Sequence, residues 1–314
     1  MIAAALCVAV IAAGCGGGGG AKEEANDEAP ASTSASTTAV PGVEVERPFA
    51  KRTETFTDPS RPTGDRPGRT LVTDIYVPDG PGPFPLIVHA HGFGGDRTKF
   101  TGLLGAWAAR GFVVAAPTFP LTTSAIPVGE RQVGDIAQQP ADMRFVLDSV
   151  LKMAEPGGPL AGKIDRDHIG VSGLSLGGGT VYPLLFNPCC RDDRIKAMVA
   201  MSSVGLVTFD GKSSDLSRRI PTLVFAGDTD LAINYQVQRD TWEQLAGPTW
   251  LVTVLGGTHA APYEDLPADP HKQLVIDTTV AFWGWTLRGD HAAKERVATS
   301  ATVEGLAKVE SRGV

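Results

Sequence analysis

The sequence lacks the features that several large classes of protein require. It has no apolar run of the roughly 20 residues that a membrane-spanning helix needs, since its N-terminal apolar stretch covers only residues 2–13. A formal net charge of -7 leaves no surplus of Lys and Arg to neutralise phosphates, which argues against a nucleic-acid binder. The glycine-rich phosphate loop is missing, and His89 and His91 stand two apart with no helix-spaced partner. We therefore expect no metal site.

Cysteine is also scarce, with four in 314 residues. One of them, Cys15, directly follows the apolar stretch and the small residues Ala12-Ala13-Gly14, a pattern typical of an export signal. This junction resembles the lipobox of bacterial lipoproteins, in which the cysteine is lipidated and becomes the mature N-terminus. The alternative is a plain secretory signal in which Cys15 has no role. The lipobox interpretation predicts a signal peptide at 1–14 and a membrane anchor on Cys15.

The residues behind Cys15 cannot bury a core. Gly16 to Gly20 are followed by an acidic run and then by a stretch rich in Ser and Thr, a composition that gives a flexible tether. We expect this tether over 15–42 and a folded domain over 43–314. Within that domain the adjacent Cys189 and Cys190 are expected as unpaired thiols in a turn, with a strained vicinal disulfide as the alternative.

The remaining chain, 42% hydrophobic and 20% charged overall, suits one globular domain. From about Thr70, short β-branched runs alternate with helical patterns, which predicts an α/β fold with a mostly parallel sheet and helices on both faces. The predicted strands are 70–77, 86–90, 112–116, 168–172, 195–201, 222–226 and 250–255, and the helices are 99–110, 140–156, one opened by Pro270 and a short one after His291. No long apolar helix pair lies between Ser202 and Arg219, so we expect no large cap domain.

The strongest motif is Gly173-Leu174-Ser175-Leu176-Gly177, which stands between a predicted strand and a glycine-rich helix start. A serine hydroxyl is a poor nucleophile unless it is exposed on a sharp turn and paired with a base. Glycines on both sides permit that turn, because a Cβ there would meet the neighbouring strand and helix. The motif predicts that Ser175 is a nucleophile.

A base and an acid are expected on later loops. His259 directly follows the strand 250–255 and is favoured as the base over His271, which stands in a helix start and is expected on its surface. Two carboxylates, Asp228 and Asp230, follow the strand 222–226, and the residues alone leave open which of them serves.

The order Ser175, Asp, His259, together with the glycine motif, resembles the α/β-hydrolase superfamily over about Thr70 to Leu287. Within it, the motifs around Ser175 and His259 look closest to the branch of dienelactone hydrolases, cutinases and platelet-activating-factor acetylhydrolases. The resemblance implies cleavage of carboxylic esters without metal or organic cofactor. It also implies that Asp230, the last residue of a Gly-x-x-Asp turn, contacts the histidine, and that Asp228 is a loop or capping residue.

The segment His91-Gly92-Phe93-Gly94-Gly95 stands where this superfamily places its oxyanion loop. The implied donors to the substrate oxygen are the backbone N–H groups of Phe93 and Leu176, and His91 is expected to hold the loop. The sequence thus predicts an exported serine ester hydrolase acting on a small-molecule, lipid or polymer ester. An amidase or peptidase of the same fold, or a non-catalytic surface-binding lipoprotein that kept the fold, are the alternatives.

Overall fold

The computed structural model describes residues 46–209 and 211–314. The expected signal peptide, the lipid attachment at Cys15 and the tether lie outside the described residues. None of the described helices is both long enough and apolar enough to cross a membrane.

In the part of the chain that the structure describes, one sheet of nine strands forms the centre of the domain, in the spatial order β1-β2-β4-β3-β5-β6-β7-β8-β9. The strands are β1 (Phe49–Asp58), β2 (Arg69–Pro78), β3 (Phe84–Ala90), β4 (Val113–Pro117), β5 (Ile164–Leu174), β6 (Ile195–Met201), β7 (Thr222–Gly227), β8 (Thr249–Val254) and β9 (Ala307–Arg312). The six strands β3 to β8 are mutually parallel, whereas β1, β2 and β9 pair antiparallel at the two ends of the order.

Six helices of the described chain cover the two faces of this sheet. They are α1 (Thr101–Ala109), α2 (Gln139–Met153), α3 (Leu176–Phe186), α4 (Tyr235–Glu243), α5 (Lys272–Arg288) and α6 (His291–Ser300). Buried side chains of α2, α3 and α4 pack on one face, and those of α1, α5 and α6 pack on the other. Because both faces are covered, the central strands are buried throughout and mostly apolar, as is usual for parallel strands.

This architecture confirms the predicted fold class, an α/β-hydrolase fold with a mostly parallel sheet. The described part of the segment between β6 and β7 contains no helix, so no cap domain covers the carboxyl ends of the strands there. Two strands were not predicted from the sequence. The edge strand β1 carries Lys and Thr on its exposed face and Arg and Glu on its half-buried face. Strand β9 follows α6, where a short helix alone was expected.

The two adjacent cysteines correct a further expectation. Cys189 and Cys190 are joined by a disulfide and are not free thiols. The turn after α3 brings them together, because Asn187 accepts the N–H of Cys189 through its side chain and the N–H of Cys190 through its carbonyl oxygen.

Candidate active site

The predicted site residues all follow carboxyl ends of parallel strands, where α/β sheets bind ligands. The oxyanion segment follows β3, Ser175 follows β5, Asp230 follows β7 and His259 follows β8. Since these strands run in one direction, their loops open at one edge of the sheet.

Ser175 occupies a strained turn between β5 and α3. Its φ of 56° and ψ of -118° lie in a region that residues with a Cβ rarely adopt. A Cβ on Gly173 would stand 2.2 Å from the carbonyl oxygen of Gly177, and one on Gly177 would stand 2.1 Å from that of Ala90. The turn therefore requires both glycines, because the helix start packs directly on its own strand and on the end of β3.

A chain of hydrogen bonds links three side chains that the sequence predicted as a set. His259 Nε2 lies 2.8 Å from Ser175 Oγ, and His259 Nδ1 lies 2.9 Å from Asp230 Oδ2. Because an ionised carboxylate can only accept hydrogen bonds, Nδ1–H donates to Asp230 and the unprotonated Nε2 accepts from the serine hydroxyl. In this arrangement the imidazole can receive the hydroxyl proton.

The two candidate carboxylates have different surroundings. The side chain of Asp230 is fully buried, and its Oδ1 accepts the N–H groups of Ala232 and Ile233 at 2.9 Å each. Asp228 is exposed, and its Oδ1 accepts the N–H of Gly256 at 2.6 Å. Asp230 thus reaches the imidazole, whereas Asp228 ties the end of β7 to the turn after β8.

The competing histidine lies elsewhere, and its expected surface position was wrong. His271 is only 5% exposed. Its Nε2 lies 2.9 Å from the carbonyl oxygen of Leu255, and its Nδ1 lies 2.8 Å from Asp269 Oδ1. Since both ring nitrogens have partners outside the Ser175 cluster, this side chain anchors the start of α5 beneath the turn that follows β8.

The glycine-rich segment after β3 approaches Ser175 closely. A Cβ on Gly92 would stand 3.1 Å from Ser175 Cβ, so the backbone of this segment contacts the serine at the residue before Phe93. His91 holds the segment through Nδ1, 2.7 Å from the carbonyl oxygen of Gly92, and through Nε2, which accepts the N–H of Phe119 at 2.9 Å.

The N–H groups of Phe93 and Leu176 have no acceptor within the described part of the chain. Leu176 is the first residue of α3, and the N–H groups of a first helical turn lack intrahelical partners. The partial positive charge of a helix N-terminus also favours an anion at that place. Both groups are therefore available to an oxygen atom bound beside Ser175.

Burial keeps the two histidines of the β3 end neutral. It lowers the pKa of His91 to about 4 and that of His89 to about 3, with the neighbouring His91 adding to the effect on His89. Burial also raises the pKa of Glu264, a carboxyl near enough to His259 for their charges to interact. Glu264 was not among the predicted site residues, because nothing in its sequence context distinguishes it from a surface glutamate.

Three buried polar side chains near the site were also not predicted from the sequence. Gln139, Thr122 and Thr180 are each 0% exposed, and the Gln139 amide is hydrogen-bonded to both threonine hydroxyls. They lie far apart along the chain and follow no recognisable spacing. Among the described residues, no group of three His, Cys, Asp or Glu side chains is arranged to hold a metal ion.

Comparison with known proteins supports the fold. No protein-family model matches the chain, and no curated protein sequence is similar to it. A ferulic acid esterase from Streptomyces cinnamoneus has a similar structure, with a TM-score of 0.61 and 21% sequence identity. The similarity covers 80% of this chain and 93% of the esterase. At this level of identity the comparison shows a shared fold only, so any statement about the chemistry of this chain must be argued from the arrangement of residues around Ser175.

Proposed function

We propose that the chain hydrolyses carboxylic esters, with Ser175 as nucleophile, His259 as general base and Asp230 as the acid that orients the imidazole. The observation that carries the proposal is the continuous hydrogen-bonded chain from Ser175 Oγ through His259 to Asp230, at 2.8 and 2.9 Å. It ends at a serine held in a strained turn, the geometry that exposes a nucleophilic hydroxyl.

The reaction begins when His259 Nε2 takes the hydroxyl proton and Ser175 Oγ attacks the ester carbonyl carbon. The carbonyl oxygen becomes an oxyanion against the N–H groups of Phe93 and Leu176, and each such donor is worth roughly 3 kcal/mol in the transition state. His259 then gives the proton to the departing alcohol. Water, activated by the same imidazole, releases the acid and restores Ser175.

An ester is preferred to an amide on two grounds. The structural neighbour is named as an esterase of ferulic acid, and ester cleavage is the chemistry of the branch that the motifs around Ser175 and His259 resemble. An amidase of the same fold would use the same three side chains, so the leaving group must be tested. Hydrolysis of p-nitrophenyl esters, methyl ferulate and the matching anilides distinguishes the two substrate classes.

The test of the nucleophile uses Ser175→Ala and a fluorophosphonate probe. The wild type should hydrolyse p-nitrophenyl esters and incorporate the probe at Ser175, whereas the variant should do neither and should melt near the wild-type temperature. Ser203, a 2%-exposed serine after β6, provides the matched control as Ser203→Ala. Labelling that survives Ser175→Ala would contradict the assignment, and a wild type inert to both reagents would favour a binding protein.

We further propose that the chain is exported and anchored to a membrane by lipid on Cys15. The support is the sequence Ala12-Ala13-Gly14-Cys15 after the short apolar stretch. Cys15→Ser should release the protein from the membrane fraction or block its processing. Wild-type protein found in the medium, without acyl mass on its N-terminal peptide, would show a plain secretory signal instead.

A further inference from the structure

A buried amide lies behind the proposed oxyanion hole. Gln139, the first residue of α2, is 0% exposed, and both ends of its side chain are hydrogen-bonded. Its Nε2 donates to Thr122 Oγ1 at 3.1 Å, and its Oε1 accepts from Thr180 Oγ1 at 2.6 Å. Burying an amide is costly unless such bonds are made, so the two threonine hydroxyls hold this side chain in its place.

The two threonines belong to the two segments that carry the oxyanion donors. The carbonyl oxygen of Thr122 accepts the N–H of Gly94 at 2.7 Å, next to Phe93. Thr180 Oγ1 shares its one hydrogen between Gln139 Oε1 and the carbonyl oxygen of Leu176, which lies 3.0 Å away and one turn earlier in α3. A continuous path of hydrogen bonds therefore runs from one donor segment to the other, and Gln139 is its middle member.

A buried ion cluster holds the segment in which Gln139 lies. Asp135 precedes it by one turn and Asp142 follows it within α2, and the fully buried Arg69 of β2 binds both carboxylates. Its guanidinium donates to Asp135 at 2.7 and 3.0 Å and to Asp142 at 2.6 Å through two nitrogens. The start of α2 is thus fixed to the central sheet, which gives the amide a rigid base.

We propose that Gln139 is a positioning residue that sets the distance between the N–H groups of Phe93 and Leu176. The inference rests on the proposed function, because only an oxyanion would need both donors at once. A merely structural amide would contribute to stability alone. A positioning amide also affects the transition state, since donors must meet the oxyanion within a few tenths of an ångström.

The test compares two near-isosteric changes with a matched control. Gln139→Met and Thr180→Val each remove a link of the path while keeping the volume. Thr279→Val is the control, because Thr279 is likewise a 0%-exposed helical threonine, bonded to the carbonyl four residues back and to one side chain, Trp107. Thr279 lies in α5, on the other face of the sheet from Gln139.

For Gln139→Met and Thr180→Val we expect kcat on a p-nitrophenyl ester to fall by about 10- to 100-fold with KM little changed. The affinity for a boronic acid, whose adduct with Ser175 mimics the tetrahedral intermediate, should fall by the same factor. Amide hydrogen exchange at Gly94 should become faster. Thr279→Val should lower the melting temperature while kcat stays within about twofold at a temperature well below melting.

Several results would overturn the proposal. One is a kcat within twofold of the wild type in both path variants, and another is an equal loss of kcat in Thr279→Val. If Gln139→Met does not fold, Thr180→Val and its control decide the question. A wild type that hydrolyses no ester contradicts the proposed function, and unchanged exchange at Gly94 in the variants then contradicts the hydrogen-bonded link as well.

Discussion

The variant Asp230→Asn, which replaces one carboxylate oxygen by an NH₂ group, should reverse the tautomer of His259. Asp230 Oδ1 accepts two backbone N–H groups at 2.9 Å, and these can be satisfied only by an oxygen. In Asp230→Asn the amide oxygen must take that place, so the NH₂ group points to His259 Nδ1. The imidazole then accepts at Nδ1 and carries its proton on Nε2, opposite Ser175 Oγ. It can no longer receive the serine proton.

The size of the effect follows from this reversal. An Asp-to-Asn change that forces the wrong tautomer in such a site lowers kcat by about 10⁴-fold, which corresponds to about 5 kcal/mol of activation free energy. The fold should persist, because the two backbone hydrogen bonds are kept and a buried carboxylate is replaced by a neutral group of the same shape. A large kinetic loss with a small change in melting temperature is therefore the expected result.

Asp228→Asn is the matched control two residues away. In the wild type the N–H of Gly256 donates to Asp228 Oδ1 at 2.6 Å. The side-chain carbonyl oxygen of the asparagine can still accept this N–H, so kcat should stay within about twofold. The assay measures kcat and KM on a p-nitrophenyl ester, and ¹⁵N shifts of the imidazole report the tautomer directly. The role of Asp230 is refuted if Asp228→Asn loses as much activity as Asp230→Asn, or if the kcat of Asp230→Asn remains within tenfold of the wild type.

Two further predictions concern stability. The pKa of His91 is lowered to about 4 and that of His89 to about 3, so unfolding takes up protons below the unfolded value near 6.5. The contribution of each histidine to the free energy of unfolding should thus reach its maximum above about pH 6.5. It should decrease toward pH 4 by about 1.4 kcal/mol per pH unit for each histidine. Denaturant titrations at several pH values measure this slope, which His89→Gln should reduce. Arg69→Met should cost about 3–5 kcal/mol, because it leaves the buried Asp135 without its ion pair and leaves Asp142 with Arg61 alone. The half-exposed Arg52→Met should cost less than about 1 kcal/mol, and equal melting temperatures for the two variants would contradict the role of the buried cluster.

The central strands could be predicted from the sequence because burial on both faces leaves little choice of residue. Strands β3, β4 and β6 to β8 are almost entirely apolar, and each predicted range overlaps its strand closely. Strand β1 was missed because both of its faces carry polar residues, Lys and Thr on the exposed face and Arg and Glu on the half-buried one, a composition that also suits a loop. Strand β9 was missed because AKVESR carries few apolar residues and is defined by its pairing with β8.

The members of the site were predicted where chemistry imposes a local pattern. Ser175 was marked by its flanking glycines and His259 by its place after a strand, whereas the choice of Asp230 over Asp228 came from the resemblance to the α/β-hydrolase superfamily. The structure brings the three side chains together. Gln139 has no such mark, because its partners stand 17 and 41 positions away along the chain. The surface position expected of His271 was wrong for a similar reason, since Leu255, a distant residue, accepts its ring N–H.

The conformation of Ser175 bears on the choice between an enzyme and a binding protein. A residue with a Cβ in that region costs on the order of 1–3 kcal/mol, and such strain persists only where the surroundings enforce it. Here they do: the N–H of Ser175 donates to the carbonyl oxygen of Met201, and its own carbonyl oxygen accepts from Gly179 and Val204. A binding surface gains nothing from this arrangement, because a glycine would relieve the strain and leave the backbone contacts intact. Only a hydroxyl aimed at His259 needs a side chain at that point, which favours catalysis over binding.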